Sequence, residues 1–328
     1  MSDQTRQTIA IVLICYNQQD FIVEALDGIR NQTREPEEVI IADDGSTDNT
    51  HRMIQEYVRR HNLEKKWLLL LSQKNRGINK NIQAGLDHAT ADIIILMAGD
   101  DISLENRCSV TEELFRLHPL RLMISTSGYV INKTGEIIRE VAYPDSVFDD
   151  IEEAIRHGNP RIMPVGHAMR REIFSRFGNL PTDVPNEDDQ TTFRGLISGG
   201  IARSSIKTFK YRIHDQSASA WLHKRQSGDA YFERFKVDMS VRARHMRYWH
   251  NALEKTQFSN KEKLLGMADL KARFYVDLGS IDSTPLRFRL RYLSVYRNVL
   301  TMKDSVYCIF GASGVRSWQR LRRLLGRA

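Results

Sequence analysis

Cysteine is scarce: Cys15, Cys108 and Cys308 are the three in 328 residues. Their odd number and wide spacing exclude a disulfide scaffold and a thiolate metal cluster, and they read as reduced thiols of a cytosolic protein. Long apolar runs are missing as well. A membrane-spanning helix needs roughly 20 consecutive apolar residues, and the longest runs, Ile9–Tyr16 and Ile93–Ala98, fall far short. Met1–Thr8 is polar and contains Asp3, so no secretory leader is expected. Four familiar signatures are also absent: a G-x-x-x-x-G-K-[ST] phosphate loop, G-x-G-x-x-G after the first strand, a G-x-S-x-G elbow and a paired Cys-x-x-Cys. A P-loop NTPase, a dinucleotide dehydrogenase of the usual kind and a serine hydrolase are thereby disfavoured.

What is present is a globular composition, 41% hydrophobic and 27% charged, with length enough for a large core and about two domains. The net charge of +7 is unevenly spread. Residues 284–328 hold ten Lys/Arg and one acid, Asp304, so this tail carries +9 and the rest of the chain −2. A basic tail suits an anionic surface, phospholipid or nucleic acid.

The first hundred residues alternate between compact apolar runs and helical spacing. Ile9–Cys15, Val39–Ala42, Trp67–Leu71 and Asp92–Met97 read as strands. Between them Phe21, Ile22, Ala25, Leu26 and Ile29 share one helical face, as do Met53, Ile54, Tyr57 and Val58, and Ile82, Leu86 and Ala89. Ser46 or Thr47 is the expected cap of the second helix. Strands apolar throughout, with helices between, predict an α/β fold whose parallel sheet is covered on both faces. Beyond Asp101 the spacing predicts a helix over Leu104–Leu117, a hairpin of Leu122–Ile131 with Glu136–Val141, short helices at Arg170–Phe177 and Asp188–Ile197, and a strand at Ile206–Ile213. From Tyr231 the chain reads as helical, with a break at Gly279–Pro285, and the domain boundary is placed near residue 225.

Open α/β sheets bind ligands beyond the carboxyl ends of their strands. There the first strand carries Asn17, the second Asp43-Asp44, and the fourth Asp100-Asp101. Such an edge accepts a phosphorylated ligand only with a cation between the charges, which predicts a divalent metal on oxygen ligands. Each piece has a plainer reading. Asp100 or Asp101 could cap the helix near Leu104, Asp43-Asp44-Gly45 could be a simple turn, and Asn186-Glu187-Asp188-Asp189 could be a cap with acids favoured by the helix dipole.

The motifs resemble glycosyltransferase family 2. They are Ile9–Asn17, Asp43-Asp-Gly-Ser-Thr-Asp48, Asn75-Arg-Gly77 with Asn81, Gly99-Asp-Asp101, Val165-Gly-His-Ala-Met169, Glu187-Asp188 with Arg194 and Gly199-Gly200, and Tyr211-Arg-Ile-His214 with Ser217 and Ser219, all in the family's order. The resemblance covers roughly residues 8–220 and implies a GT-A fold, a mostly parallel Rossmann-like sheet, as residues 1–225, with a helical basic extension as 226–328. It implies transfer of a sugar, with inversion, from a nucleoside-diphosphate donor, UDP-linked, to a lipid-linked or saccharide acceptor in surface polysaccharide, O-antigen or capsule synthesis. Asp44 would pair with the base and Asp43 support it, and Lys80 and Asn81 would lie against the nucleotide. Asp100 and Asp101 would hold Mn²⁺ or Mg²⁺, Asp101 as the direct ligand, with His214 approaching the metal or diphosphate. Asp188 would be the general base beside Glu187, with Asp189 the alternative. Many relatives carry a spaced Asp-x-Asp, whereas here Ala98-Gly99 precede the pair. A sugar nucleotidyltransferase and a non-catalytic nucleotide-sugar-binding module are the alternatives.

In the tail, Leu286, Leu290, Leu293 and Leu300 line up beside Arg287, Arg291 and Arg297, and Trp318, Leu321, Leu324 and Leu325 beside Arg320, Arg322, Arg323 and Arg327. This composition predicts helices lying on an anionic membrane surface, which would hold the protein at the inner face of the cell membrane. The plainer reading is packing on the catalytic domain or in an oligomer. No nucleic-acid motif accompanies these helices, so nucleic acid is not an expected partner.

Overall fold

The computed structural model describes residues 6–160, 162–184, 187–215 and 228–324, and their side chains except at 187, 228–231, 313 and 315–324. Its core is the parallel series β1 (Ile9–Cys15), β2 (Glu38–Asp43), β3 (Trp67–Leu71) and β4 (Ile93–Ala98), arranged β3-β2-β1-β4. All seven residues of β1 are buried, as a strand covered on both faces requires. The covering helices are α1 (Ile22–Arg30), α2 (Thr50–Arg60) and α3 (Ile78–His88). α1 turns Ile22, Ala25, Leu26 and Ile29 inward, the i, i+3, i+4, i+7 stripe read from the sequence. The chain runs from β1 outward to β2 and β3, then returns to β4 on the other side. That reversal is the switch point at which such sheets open a crevice. The register keeps the strand ends level, with Cys15 opposite Asp43 and Ile14 opposite Ala98. Asn17, Asp43-Asp44 and Asp100-Asp101 therefore share one edge.

The sheet then continues through mostly antiparallel pieces of uneven length. These are β5 (Ile102–Ser103), β6 (Met123–Ile131), β7 (Ile137–Val141), β8 (Ser146–Phe148), β9 (His167–Arg170) and β10 (Ile201–Arg212), with α4 (Arg107–Leu117), α6 (Glu172–Phe177) and α7 (Glu187–Leu196) between them. Beyond β4 the order is β9-β6-β10-β5, with β7 beside β6 and β8 beside β10.

Three local expectations change. His167–Arg170 is a strand antiparallel to both β4 and β6, so the helix expected from Arg170 starts at Glu172. Four residues are too few to show a period, and the pairing partners on both sides decide the matter. The helix expected from Leu104 starts at Arg107, because Ile102 and Ser103 pair with Lys210 and Phe209 of β10. Asp100 and Asp101 thus lie in a turn between two strands and cap no helix. Neither Ser46 nor Thr47 caps α2, whose preceding residue is Asn49; their hydroxyls turn to Asp43 and Asn17 instead.

The chain separates into two compact units, Met1–Asp149 with Ile162–His223, and Asp150–Arg161 with Lys224–Ala328. The segment 150–161, placed with the catalytic domain by the sequence reading, goes with the helices. The second unit holds α5 (Ile151–His157), α8 (Gly228–Glu254), α9 (Lys261–Gly279), α10 (Leu286–Val295) and α11 (Met302–Leu324). Trp249 and Leu253 of α8 and Leu264 and Phe274 of α9 are buried there. The Lys271 ammonium, fully buried, donates to Asp304 at 2.6 Å and to the Val299 carbonyl at 2.9 Å. α10 ends at Val295, so Leu300 falls outside the expected leucine stripe, and α11 is kinked at Gly311, where φ is 71°. Ser217, Ser219, Leu325 and Arg327, and the side chains of Trp318, Arg320, Leu321, Arg322, Arg323 and Leu324, lie outside the described residues.

Candidate active site

The edge beyond β1, β2 and β4 is built from two differently used carboxylate pairs. At the β2 end, Asp43 is fully buried. It accepts the Ser46 amide at 3.2 Å and the Ser46 hydroxyl, and lies 3.4 Å from His51 Nδ1. Asn17, in the left-handed region at φ 51°, accepts the Thr47 amide at 2.8 Å through its side chain and donates its own amide to Ser46 Oγ at 2.9 Å. Asp44 takes one backbone amide on each oxygen, Arg76 at 2.8 Å and Gly77 at 2.9 Å. Gly45 permits this closure, since at φ 73° a Cβ there would lie 2.6 Å from the Lys74 carbonyl carbon. Each Asp44 oxygen keeps a second lone pair, so the carboxylate can still accept from a base N–H. Asn81 is buried and donates to the Ala42 carbonyl at 2.8 Å, while Lys80 is exposed.

At the β4 end, Asp100 Oδ2 lies 3.0 Å from His214 Nε2, with both side chains nearly buried and the imidazole tilted against Phe21. Asp101 accepts the Arg212 amide at 2.9 Å. Burial and the neighbouring Asp100 charge hold the Asp101 carboxyl well above the usual range, against the pull of the Arg212 amide and the Arg107 and Arg212 guanidiniums. Arg212 organises this corner. Its guanidinium donates to the Asp100 carbonyl at 2.9 Å, to the Lys133 carbonyl at 3.1 Å and to Glu24 at 2.9 Å, and it lies over the Phe21 ring.

Among the described residues no group of three or more His, Cys, Asp or Glu side chains is gathered to hold a metal ion. Of the three expected ligands, Asp100 and His214 meet, and Asp101 is turned to a backbone amide. That set still fits Mg²⁺ or Mn²⁺. Mg²⁺ is typically held by one or two carboxylates, with substrate phosphates and water completing the shell, and a dication would oppose the repulsion that raises the Asp101 pKa.

Asp188 and Asp189 sit half-buried in the first turn of α7, while the Glu187 side chain lies outside the described residues. α7 is fixed from its far end. Buried Arg194 donates to the Gly178 and Asn179 carbonyls at 2.7 and 3.0 Å. Gly199 and Gly200, at φ 106° and 92°, then turn the chain into β10.

Sequence reasoning did not single out three further residues. Asn79 donates to the Pro181 and Val184 carbonyls, both at 2.6 Å, and so ties α3 to the segment before α7. Arg107 is buried behind Asp101 and donates to Ser103 Oγ at 3.0 Å. Arg212 had one legible signal: it lies inside the Tyr211-Arg-Ile-His214 motif. No periodicity announces Asn79 or Arg107, because Asn79 acts on the carbonyls of Pro181 and Val184 and Arg107 also donates to the distant Val165 carbonyl at 2.5 Å.

A family model described as glycosyl transferase family 2 matches residues 10–178. An uncharacterized protein of Mycobacterium tuberculosis is 45% identical over 94 residues, which are 28% of this chain and 27% of that protein, so the match spans about a quarter of that relative's length. The fold resembles residues 1–349 of TarS from S. aureus in complex with UDP-GlcNAc, at TM-score 0.62 and 14% identity over 92% of this chain and 81% of that one. It also resembles the mannosyltransferase PcManGT from Pyrobaculum calidifontis in complex with GDP-Man and Mn²⁺, at TM-score 0.55 and 16% identity over 99% and 89%.

Proposed function

Because the chain belongs to glycosyl transferase family 2, we propose that it transfers a sugar from UDP to a hydroxyl of a saccharide or lipid-linked acceptor, with inversion, in the assembly of a surface polysaccharide such as O-antigen or capsule. The observation that carries this reading is the corner formed by Asp100, Asp101, Arg212 and His214 at the carboxyl edge, next to the Asp44-bound loop. Asp44 offers free lone pairs to the base, and Lys80 and Asn81 stand on the helix that follows that loop. Asp100 and His214, with Asp101 beside them, are the residues that would hold Mn²⁺ or Mg²⁺. A bound dication supplies charge neutralisation to the departing diphosphate.

The acceptor oxygen attacks the anomeric carbon, and the bond from that carbon to the diphosphate oxygen breaks with its electron pair on the diphosphate. Asp188 takes the hydroxyl proton, a contribution typically worth about 10²–10⁴-fold. Arg212 keeps the Asp100-Asp101 turn against β10, so the charges stay at the strand ends. The three cysteines are buried and free, which supports the cytoplasm as the compartment. Among the described residues no helix is long and apolar enough to cross a membrane.

The test is Asp188→Asn, assayed with a UDP-sugar chosen by a thermal-shift screen in Mn²⁺. Donor binding should persist while turnover falls about 10²-fold or more. Loss in Asp189→Asn with none in Asp188→Asn would move the base by one residue. A screen in which no nucleotide sugar stabilises the protein would contradict the reading as a whole.

A further inference from the structure

α10 runs ten residues and buries none of them. Leu286, Phe288, Leu290 and Val295 are 49%, 40%, 44% and 54% exposed, and Met302 and Phe310 of α11 are 87% and 59% exposed. At 100° per residue, Arg287, Arg291 and Ser294 form a ridge. Leu286 and Leu290 flank it on one side, and Phe288 and Val295 on the other. The opposite face packs inward: Tyr292 and Arg289 are half-buried, and buried Tyr296 just beyond the helix bonds to Asp277 of α9. From residue 284 to 303 the segment holds five basic residues and no acid. The next acid, Asp304, is committed to Lys271.

We propose that the α10 face, continued by the start of α11, is a docking surface for an anionic phospholipid leaflet. Flexible arginines between two apolar flanks match an interface whose outer layer is phosphate and whose inner layer is hydrocarbon. The guanidiniums reach the phosphates while leucine, phenylalanine and valine enter the acyl boundary. Charge selects this occupant over a second copy of the chain, because a two-fold contact brings the same patch onto itself and sets Arg287 and Arg291 against their own kind. The exposed Leu, Phe, Val and Met select it over nucleic acid, which would use the arginines and leave the apolar flanks in water. The surface is separate from the glycosyl-transfer reading, because it is defined by residues of the helical unit alone.

The experiment is flotation of the full-length chain with equimolar phosphatidylglycerol and phosphatidylcholine vesicles at low salt. Binding should be strong there and at least about tenfold weaker on pure phosphatidylcholine, given the attraction of an anionic surface for each basic residue. Phe288→Ser with Leu290→Ser, and separately Arg287→Glu with Arg291→Glu, should each weaken binding about tenfold or more, with unchanged melting temperature because all four side chains are exposed. Equal binding by native and both variants overturns the proposal. So does loss confined to the arginine pair with displacement by RNA, which would make the ridge a polyanion site. A concentration-dependent dimer broken by the Phe288/Leu290 pair, without vesicle binding, overturns it as well.

Discussion

Asp43-Asp44 and Asp100-Asp101 are the same dipeptide at the ends of two strands that flank β1. At the β2 end every carboxylate is engaged with hydrogen-bond donors: Ser46 on Asp43, and the Arg76 and Gly77 amides on Asp44. The oxygens there shape loops. At the β4 end a buried Asp101 lies beside a second carboxylate and keeps its proton well above the usual range, and Asp100 faces an imidazole. The first pair is satisfied by its own chain, and the second has a charge balance that a cation would complete. A motif supplies residue types, and the donors delivered from elsewhere decide what they do.

The largest expected effect is on catalysis at the β4 pair. Asp100→Asn should lower transfer about a thousandfold, the scale of the several kcal/mol a Lewis acid contributes. The melting temperature should hold, because an asparagine of the same shape can still meet His214 Nε2 and leaves the Asp101 bond to the Arg212 amide in place. Rates and thermal melts on the same preparation check both halves. Asp43→Asn should do the reverse and cost about 1–3 kcal/mol of stability, read by urea unfolding, because it puts an amide donor where the Ser46 amide needs an acceptor. If Asp43→Asn leaves stability intact while Asp100→Asn unfolds the protein, the two pairs have been assigned the wrong way round.

A pH-dependent effect lies behind the site. His167 is buried, and burial together with the nearby Arg107 charge lowers its pKa from 6.5 to about 3. The unfolded chain therefore binds the proton first as pH falls. Stability contributed by the neutral imidazole is full above 6.5 and is lost toward pH 3, by at most about 1.4 kcal/mol per pH unit. His167→Gln should flatten that part of the acid limb in a urea-unfolding series against pH.

The parallel half of the sheet was legible because its signal is local: apolar runs at β1 to β4 and a four-residue stripe on α1. So was the gathering of Asn17 and four aspartates at one edge, which follows from strand order. The antiparallel half was legible only in part: the β6–β7 hairpin was read from its sequence, whereas β5 and β9 were not. β5 has two residues and β9 four, too short for any period, and each exists because of strands distant in sequence. The same limit kept the cap reading of Asp100-Asp101 open, since a cap and an inter-strand turn share their residue types until Ile102 is seen paired with Lys210. Arg212 shows the limit for single residues, because its role lies in carbonyls of residues 100 and 133 and in Glu24.

The most direct measurement is calorimetric binding of UDP to native protein and to Asp100→Asn, each with Mn²⁺ and with excess chelator. If Asp100 and His214 hold the cation against the diphosphate, Mn²⁺ strengthens UDP binding to the native protein by about tenfold or more, and Asp100→Asn binds UDP equally with and without it. Equal enhancement by Mn²⁺ in both proteins would contradict the assignment of this corner as the metal end of the site.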